Sequence, residues 1–177
     1  VDLENKISAL PHDAGKLIVV DGVFSMNGHI APLPEIVTIA RKYNARVMTD
    51  DAHALGVIGH GGRGTASYFG LTDQTDIIMG TFSKSLASSG GFLASSERVI
   101  NYIKHNSPAI IFNASMPASN AAAALKALEI IQDEPECIQK LHHNAKRLRN
   151  GLEQLGFNVI KGETPIIPVI IGDDVMT

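Results

Sequence analysis

The sequence predicts an α/β fold built on a mostly parallel sheet. Short continuous apolar runs alternate with helical patterns, and polar residues gather directly after each run. Apolar strands separated by helices mark a sheet covered on both faces. Ligands bind such sheets at the carboxyl ends of the strands, where clustered polar residues have a use.

Each element follows from its own stretch. "KLIVVD" (16–21) reads as a buried strand and "PLPEIVTIARKYN" (32–44) as a helix. "RVMTDD" (46–51), "DIIMG" (76–80) and "GFLAS" (91–95) read as further strands. Asp21 and Ser25 follow the first strand, Asp50, Asp51 and His53 the second, and Thr81 and Lys84 the third. The Ala-rich "PASNAAAALKALEIIQ" (117–132) is strongly helix-forming. In "PECIQKLHHNAKRLRNGLEQLG" (135–156), Ile138, Leu141, Ala145, Leu148, Leu152 and Leu155 recur at three- and four-residue steps, an amphipathic helix stopped by Gly156. "FNVI" and "IIPVII" then read as strands. The change of texture near Ser115 divides the chain into part of a large domain (1–115) and connector helices leading into a partial smaller α+β domain (116–177).

Composition narrows the function. A chain of 177 residues buries roughly 70% of its unfolded surface. A net charge of -3 offers no basic stripe for nucleic acid and no polybasic membrane patch. The single cysteine, Cys137, excludes an internal disulfide framework and fits a reducing, cytoplasmic setting. No apolar run reaches the roughly 18 residues of a membrane span.

Taken singly, the polar residues are ambiguous. Asp50 with Asp51 is a helix cap or a metal pair, and with His53 would suit a divalent ion, but no second ligand cluster stands out. "GHGGRG" (59–64) matches neither the P-loop nor the dinucleotide fingerprint and reads as a surface loop. His142 and His143 are expected to be solvated, and Cys137 to be inert packing. Lys84, in "GTFSKSLASSGG" (80–91), is either a solvated turn lysine or one placed where a strand ends for a chemical reason.

Taken together they point to pyridoxal phosphate (PLP), which needs a lysine for its Schiff base, a carboxylate beside its ring nitrogen, and phosphate donors. A carboxylate about 3 Å from the ring nitrogen, at an effective dielectric near 20, contributes of order 5 kcal/mol before desolvation. Asp50, His53, Thr81 and Lys84 follow two separate strands, and a parallel sheet would bring them to one edge.

"DGVFSMNGHIAPLPEI" (21–36), "DDAHALGVIGHGGRG" (50–64) and "GTFSKSLASSGGF" (80–92) closely resemble the α-oxoamine synthase family of fold-type I PLP enzymes, and the likeness continues into "TPIIPVIIGDD". The resemblance implies that Lys84 forms the Schiff base in a covered pocket and Asp50 pairs with the pyridine nitrogen. It makes His53 the partner of the phenolic oxygen, Ser25 a further cofactor contact and Thr81 a phosphate ligand. "IIFNASMPAS" (110–119) resembles the segment that reaches the partner subunit's phosphate, which implies a homodimer with shared sites. Asn113 stands there where the family usually has Thr or Ser, and Ser115 is a second candidate for that contact.

The family reaction is a decarboxylative condensation of a small amino acid with an acyl-CoA thioester. "GTFSKSLASSGGF" is most similar to bacterial serine palmitoyltransferases, so serine and a long acyl donor are favoured. "PIIPVIIGDD" is as similar to the 8-amino-7-oxononanoate synthase and glycine C-acetyltransferase branches. An aminotransferase on the same fold and a catalytically inactive fragment are the other readings. The family's phosphate loop and ring-stacking histidine would precede residue 1, and its substrate-binding arginine would follow Thr177, in members roughly twice this size.

Overall fold

The computed structural model describes residues 2–172. In chain order, α1 (Asp2–Ser8), β1 (Leu17–Asp21), α2 (Leu33–Lys42) and β2 (Arg46–Asp50) are followed by the short helix α3 (Thr65–Tyr68). Then come β3 (Ile77–Thr81), β4 (Gly91–Ser95), α4 (Glu97–Asn106), α5 (Pro108–Ile111), α6 (Ala118–Asp133) and α7 (Glu136–Gln154). The sequence reading assigns nothing to α1, α3, α4 or α5.

The strands form one sheet in the order β1-β2-β3-β4. β1, β2 and β3 run parallel, and β4 is antiparallel to β3. Residues 82–90 alone join β3 to β4, fewer than the dozen or so that a parallel crossover requires. The mostly parallel sheet expected from the sequence is therefore present, with a reversed last strand.

Helix α2 shows why the first layer forms. Leu33, Ile36, Val37 and Ala40 fall on one face and are buried. Pro34 suits the first turn, and Arg41 and Lys42 suit the last. The helix stops where Asn44 takes a positive φ of 50° and the Ala45 N–H donates to the Ala40 carbonyl at 2.8 Å. With Ile7, Val47 and Ala66 these residues make the main core, against which Ile18, Val20 and Ile78 pack.

Coverage of the sheet departs from expectation. Successive strand residues face opposite ways. On β1, Ile18 and Val20 meet the core, whereas Leu17 and Val19 are 54% and 59% exposed. Among the described residues, β1 is packed on one face only. A second cluster of Val23, Ala54 and Ile58, joined by Ile30, Val57 and Ile166, sits among the loops that follow β1 and β2.

The C-terminal part is helical as predicted, but its strands are not. "FNVI" and "IIPVII" reduce to an isolated antiparallel bridge between Val159 and Val169. The Ile160 N–H donates to the Pro168 carbonyl at 3.0 Å and the Ile170 N–H to the Asn158 carbonyl at 2.8 Å. Pro165 and Pro168 supply no N–H, which prevents a longer ladder. Gly156, with φ +85°, follows the end of α7 as expected. The final residues of "TPIIPVIIGDD" lie outside the described residues. No described helix is long and apolar enough to cross a membrane.

Candidate active site

Strand register sets the site. Asp21 pairs with Asp50 across β1 and β2, and Asp50 pairs with Met79 across β2 and β3. Thr81 ends β3 two residues further on, opposite Gly91 at the start of β4. Asp50, Thr81 and the loops after them therefore share the carboxyl edge of the parallel strands. Asp50 is half-buried, and its Oδ1 accepts the Ala52 N–H at 2.9 Å, which turns the chain immediately before the half-buried His53.

Ser25 is exposed in the loop after β1. That loop extends the ladder by a Gly22 N–H to Asp50 carbonyl bond of 2.8 Å, then closes through the Val23–Ile30 bridge. Gly28 takes φ +71° there, and an added Cβ would lie 2.8 Å from Thr164 Oγ1. The buried Thr164 hydroxyl donates to the Gly28 carbonyl at 2.7 Å, and Arg149 donates to the Thr164 carbonyl at 2.7 Å. The segment after α7 is thereby fastened to the loop that carries Ser25.

Lys84 sits in the 82–90 loop and is exposed, which differs from the covered pocket expected for it. The loop turns Leu86 inward, 3% exposed, and leaves Lys84 outward. Thr81 Oγ1 lies 2.8 Å from Ser83 Oγ, and the Ser83 N–H donates to Thr81 Oγ1 at 3.3 Å. The Thr81 hydroxyl also donates to the Gly90 carbonyl at 3.2 Å, so these groups tie the loop ends together beside the lysine. Ser83, which flanks Lys84 in the sequence, is exposed.

Asn113 and Ser115 lie on an exposed segment between α5 and α6. The residues just beyond them touch the lysine loop. Met116 Sδ would be 2.8 Å from a Cβ on Gly90, and Asn120 bonds both Ser88 and Ser89. Asp50, His53, Thr81, Lys84 and Ser25 follow strand ends at one edge, while Asn113 and Ser115 approach it only through the chain that follows them.

The neighbouring carboxylates have different environments. Asp51 is 1% exposed, and its Oδ2 accepts the Thr65 N–H at 2.9 Å. Gly22 and Gly64 face it, and a Cβ on either would collide with the carboxylate. Burial pushes the Asp51 carboxyl above its ordinary value, opposed by Thr65 and reinforced by the charge of Asp50. Asp51 anchors the glycine-rich loop and α3, and no group of metal-ligating side chains occurs among the described residues. The reading of "GHGGRG" as a surface loop holds for the exposed His60, Gly61 and Arg63, whereas Gly62 and Gly64 are buried. Two minor expectations also change. Packing of α7 on the 54–58 turn half-buries His142, whose Nε2 lies 2.7 Å from the Val57 carbonyl, and Cys137 is exposed.

The fold and edge find counterparts among known proteins. Serine palmitoyltransferase of Sphingobacterium spiritivorum is 52% identical over 176 residues, which is 99% of this chain and 44% of that protein. A putative 8-amino-7-oxononanoate synthase of Acetivibrio thermocellus is 49% identical over 97% of this chain and 44% of its own length. A solved serine palmitoyltransferase from S. paucimobilis, with a bound PLP–myriocin aldimine, superposes with a TM-score of 0.94 at 36% identity, covering 98% of this chain and 46% of that one. The chain thus spans less than half the length of these relatives, and its architecture is that of fold type I. The family model for aminotransferase class I and II matches residues 1–176, and the chain belongs to that family.

Proposed function

We propose that the chain carries the lysine half of a PLP-dependent acyltransferase site, in an enzyme that condenses a small amino acid with an acyl-CoA thioester and releases CO2. Placement of Asp50, His53, Thr81 and Lys84 at one strand edge is the observation that supports this most. Their chemistry fits the cofactor: an amine for its aldehyde, a carboxylate for its ring nitrogen, an imidazole for its phenolic oxygen and hydroxyls for its phosphate. When bound, PLP supplies an electron-accepting ring that makes the α-carbon of the amino acid acidic.

The protein's own groups do the rest. Lys84 would hold the cofactor through its amine and would supply the base for the α-proton. The Asp50 carboxylate would pair with the ring nitrogen. His53 would bond the phenolic oxygen, and Thr81 and Ser25 would help hold the cofactor. Asn113 and Ser115 serve the phosphate in a partner subunit, and the exposed Ile110, Ile111 and Phe112 beside them suit a homodimer with shared sites. Residues 1–115 belong to the large domain and 116–177 lead into the smaller one, within a longer cytoplasmic enzyme. Serine is the favoured amino acid, given the 52% relative. The 49% relative supports an 8-amino-7-oxononanoate synthase as the second reading.

The test is borohydride reduction of the chain mixed with PLP, followed by peptide mass mapping, then titration with serine, glycine and alanine. A pyridoxyl adduct on Lys84 and a spectral response to serine are expected. An adduct confined to other lysines would overturn the assignment.

A further inference from the structure

The loop that carries Lys84 holds a backbone conformation its sequence disfavours. Ala87 has φ +48°, and among the described residues the other non-glycine residue with positive φ is Asn44, a type that tolerates it. For alanine this region is disfavoured by about tenfold in population. The residues flanking Ala87 are fixed both within the loop and from α6. Leu86 is buried on one side. On the other, the Ser88 N–H donates to the Phe82 carbonyl at 2.8 Å and the Ser88 hydroxyl to the Asn120 carbonyl at 2.7 Å. The Asn120 amide then donates to Ser89 Oγ at 2.6 Å.

Lys84 is the first residue of the turn that this conformation closes, because the Ala87 N–H donates to the Lys84 carbonyl at 3.0 Å. The left-handed Ala87 is the last residue of that turn, so it fixes where the chain leaves the turn toward Ser88. We propose that Ser88 and Asn120 form a clamp that holds the loop in this disfavoured shape and so keeps the turn that carries Lys84 beside the carboxyl edge. Both are positioning residues acting through the turn, with Asn120 supplied by the N-terminal end of α6. The inference rests on the reading of Lys84 as the cofactor lysine.

The experiment uses the full-length chain and its Ser88→Ala, Asn120→Ala and Ser88→Ala/Ala87→Gly variants. Two quantities are read: amide hydrogen exchange across 82–90 before cofactor is added, and the rate at which added PLP becomes borohydride-trapped on Lys84. Losing one hydrogen bond changes the closed population by about fivefold. Ser88→Ala should speed exchange and slow trapping by about that factor, and Asn120→Ala should act in the same direction. Glycine accepts the left-handed region, so Ala87→Gly should restore both readouts in the Ser88→Ala background to within about twofold. A merely structural defect would not be rescued there, and absence of rescue overturns the clamp. Adducts forming equally fast on Lys84 in unaltered and Ser88→Ala chains would also overturn it, leaving the lysine assignment intact. No Lys84 adduct in the unaltered chain would instead remove the reading beneath it.

Discussion

Asp51 and Asp50 are adjacent carboxylates, and Asp51→Ala should expose their division of labour. The substitution leaves the buried Thr65 N–H without its acceptor at 2.9 Å. An unsatisfied buried donor costs about 1–3 kcal/mol, and the lost bond was to a charged group. Removing a carboxylate whose pKa is raised by burial returns part of that cost. The net destabilisation should be about 2 kcal/mol, read by urea unfolding. Asp51→Asn keeps an oxygen for Thr65 without a charge, and should match or exceed the parent at neutral pH. The pH dependence has a definite sign. The folded chain holds the Asp51 proton more tightly than the unfolded chain, so this group's contribution is present below its unfolded pKa of about 3.9. It is lost as pH rises through the folded value, so the advantage of Asp51→Asn should widen from about pH 4 upward. An Asp51→Ala chain within about 0.3 kcal/mol of the parent, or an Asn advantage that shrinks with rising pH, would refute the reasoning.

Asp50→Asn should do the reverse, lowering turnover of the full-length enzyme by about a hundredfold or more, with an unfolding midpoint near that of the parent. The Ala52 N–H keeps an oxygen partner in that variant. Thr164→Val removes a buried hydroxyl that donates to the Gly28 carbonyl at 2.7 Å, and should cost about 1–2 kcal/mol in urea unfolding. Gly56→Ala places a Cβ 2.6 Å from Ser85 Cβ at a φ of +73°, and should cost about 2 kcal/mol or more by the same measurement.

Much of this was legible in the chain. Continuous apolar runs located β1 to β4 within a residue or so, because runs rich in Ile and Val between turn residues favour strands whether or not both faces are covered. The polar residues after those runs marked the edge where Asp50, Thr81 and Lys84 now stand. Reversal of β4 was present in the short spacing from β3 but needed a count of loop residues rather than a pattern. Asp51 was not legible, since nothing local distinguishes a buried anchor from a paired ligand. Its role depends on Gly22, Gly64 and Thr65 arriving from other elements. The 157–171 stretch misled because Ile and Val raise strand propensity, while Pro165 and Pro168 withhold the hydrogen bonds a ladder needs. The Ser88–Asn120 contact joins residues 32 apart in sequence and has no local signature.

The half-covered β1 strand governs how this polypeptide behaves when made alone. Leu17 and Val19 lie on its bare face, and β1 is also a rim of the sheet among the described residues. A greasy surface beside unpaired backbone groups recruits other strands indiscriminately. Residues 1–177 produced in isolation should therefore occupy chaperones, light up hydrophobic dyes and lose yield to precipitation. The practical ceiling on any experiment with the isolated piece is set at β1, on the rim, rather than at Lys84.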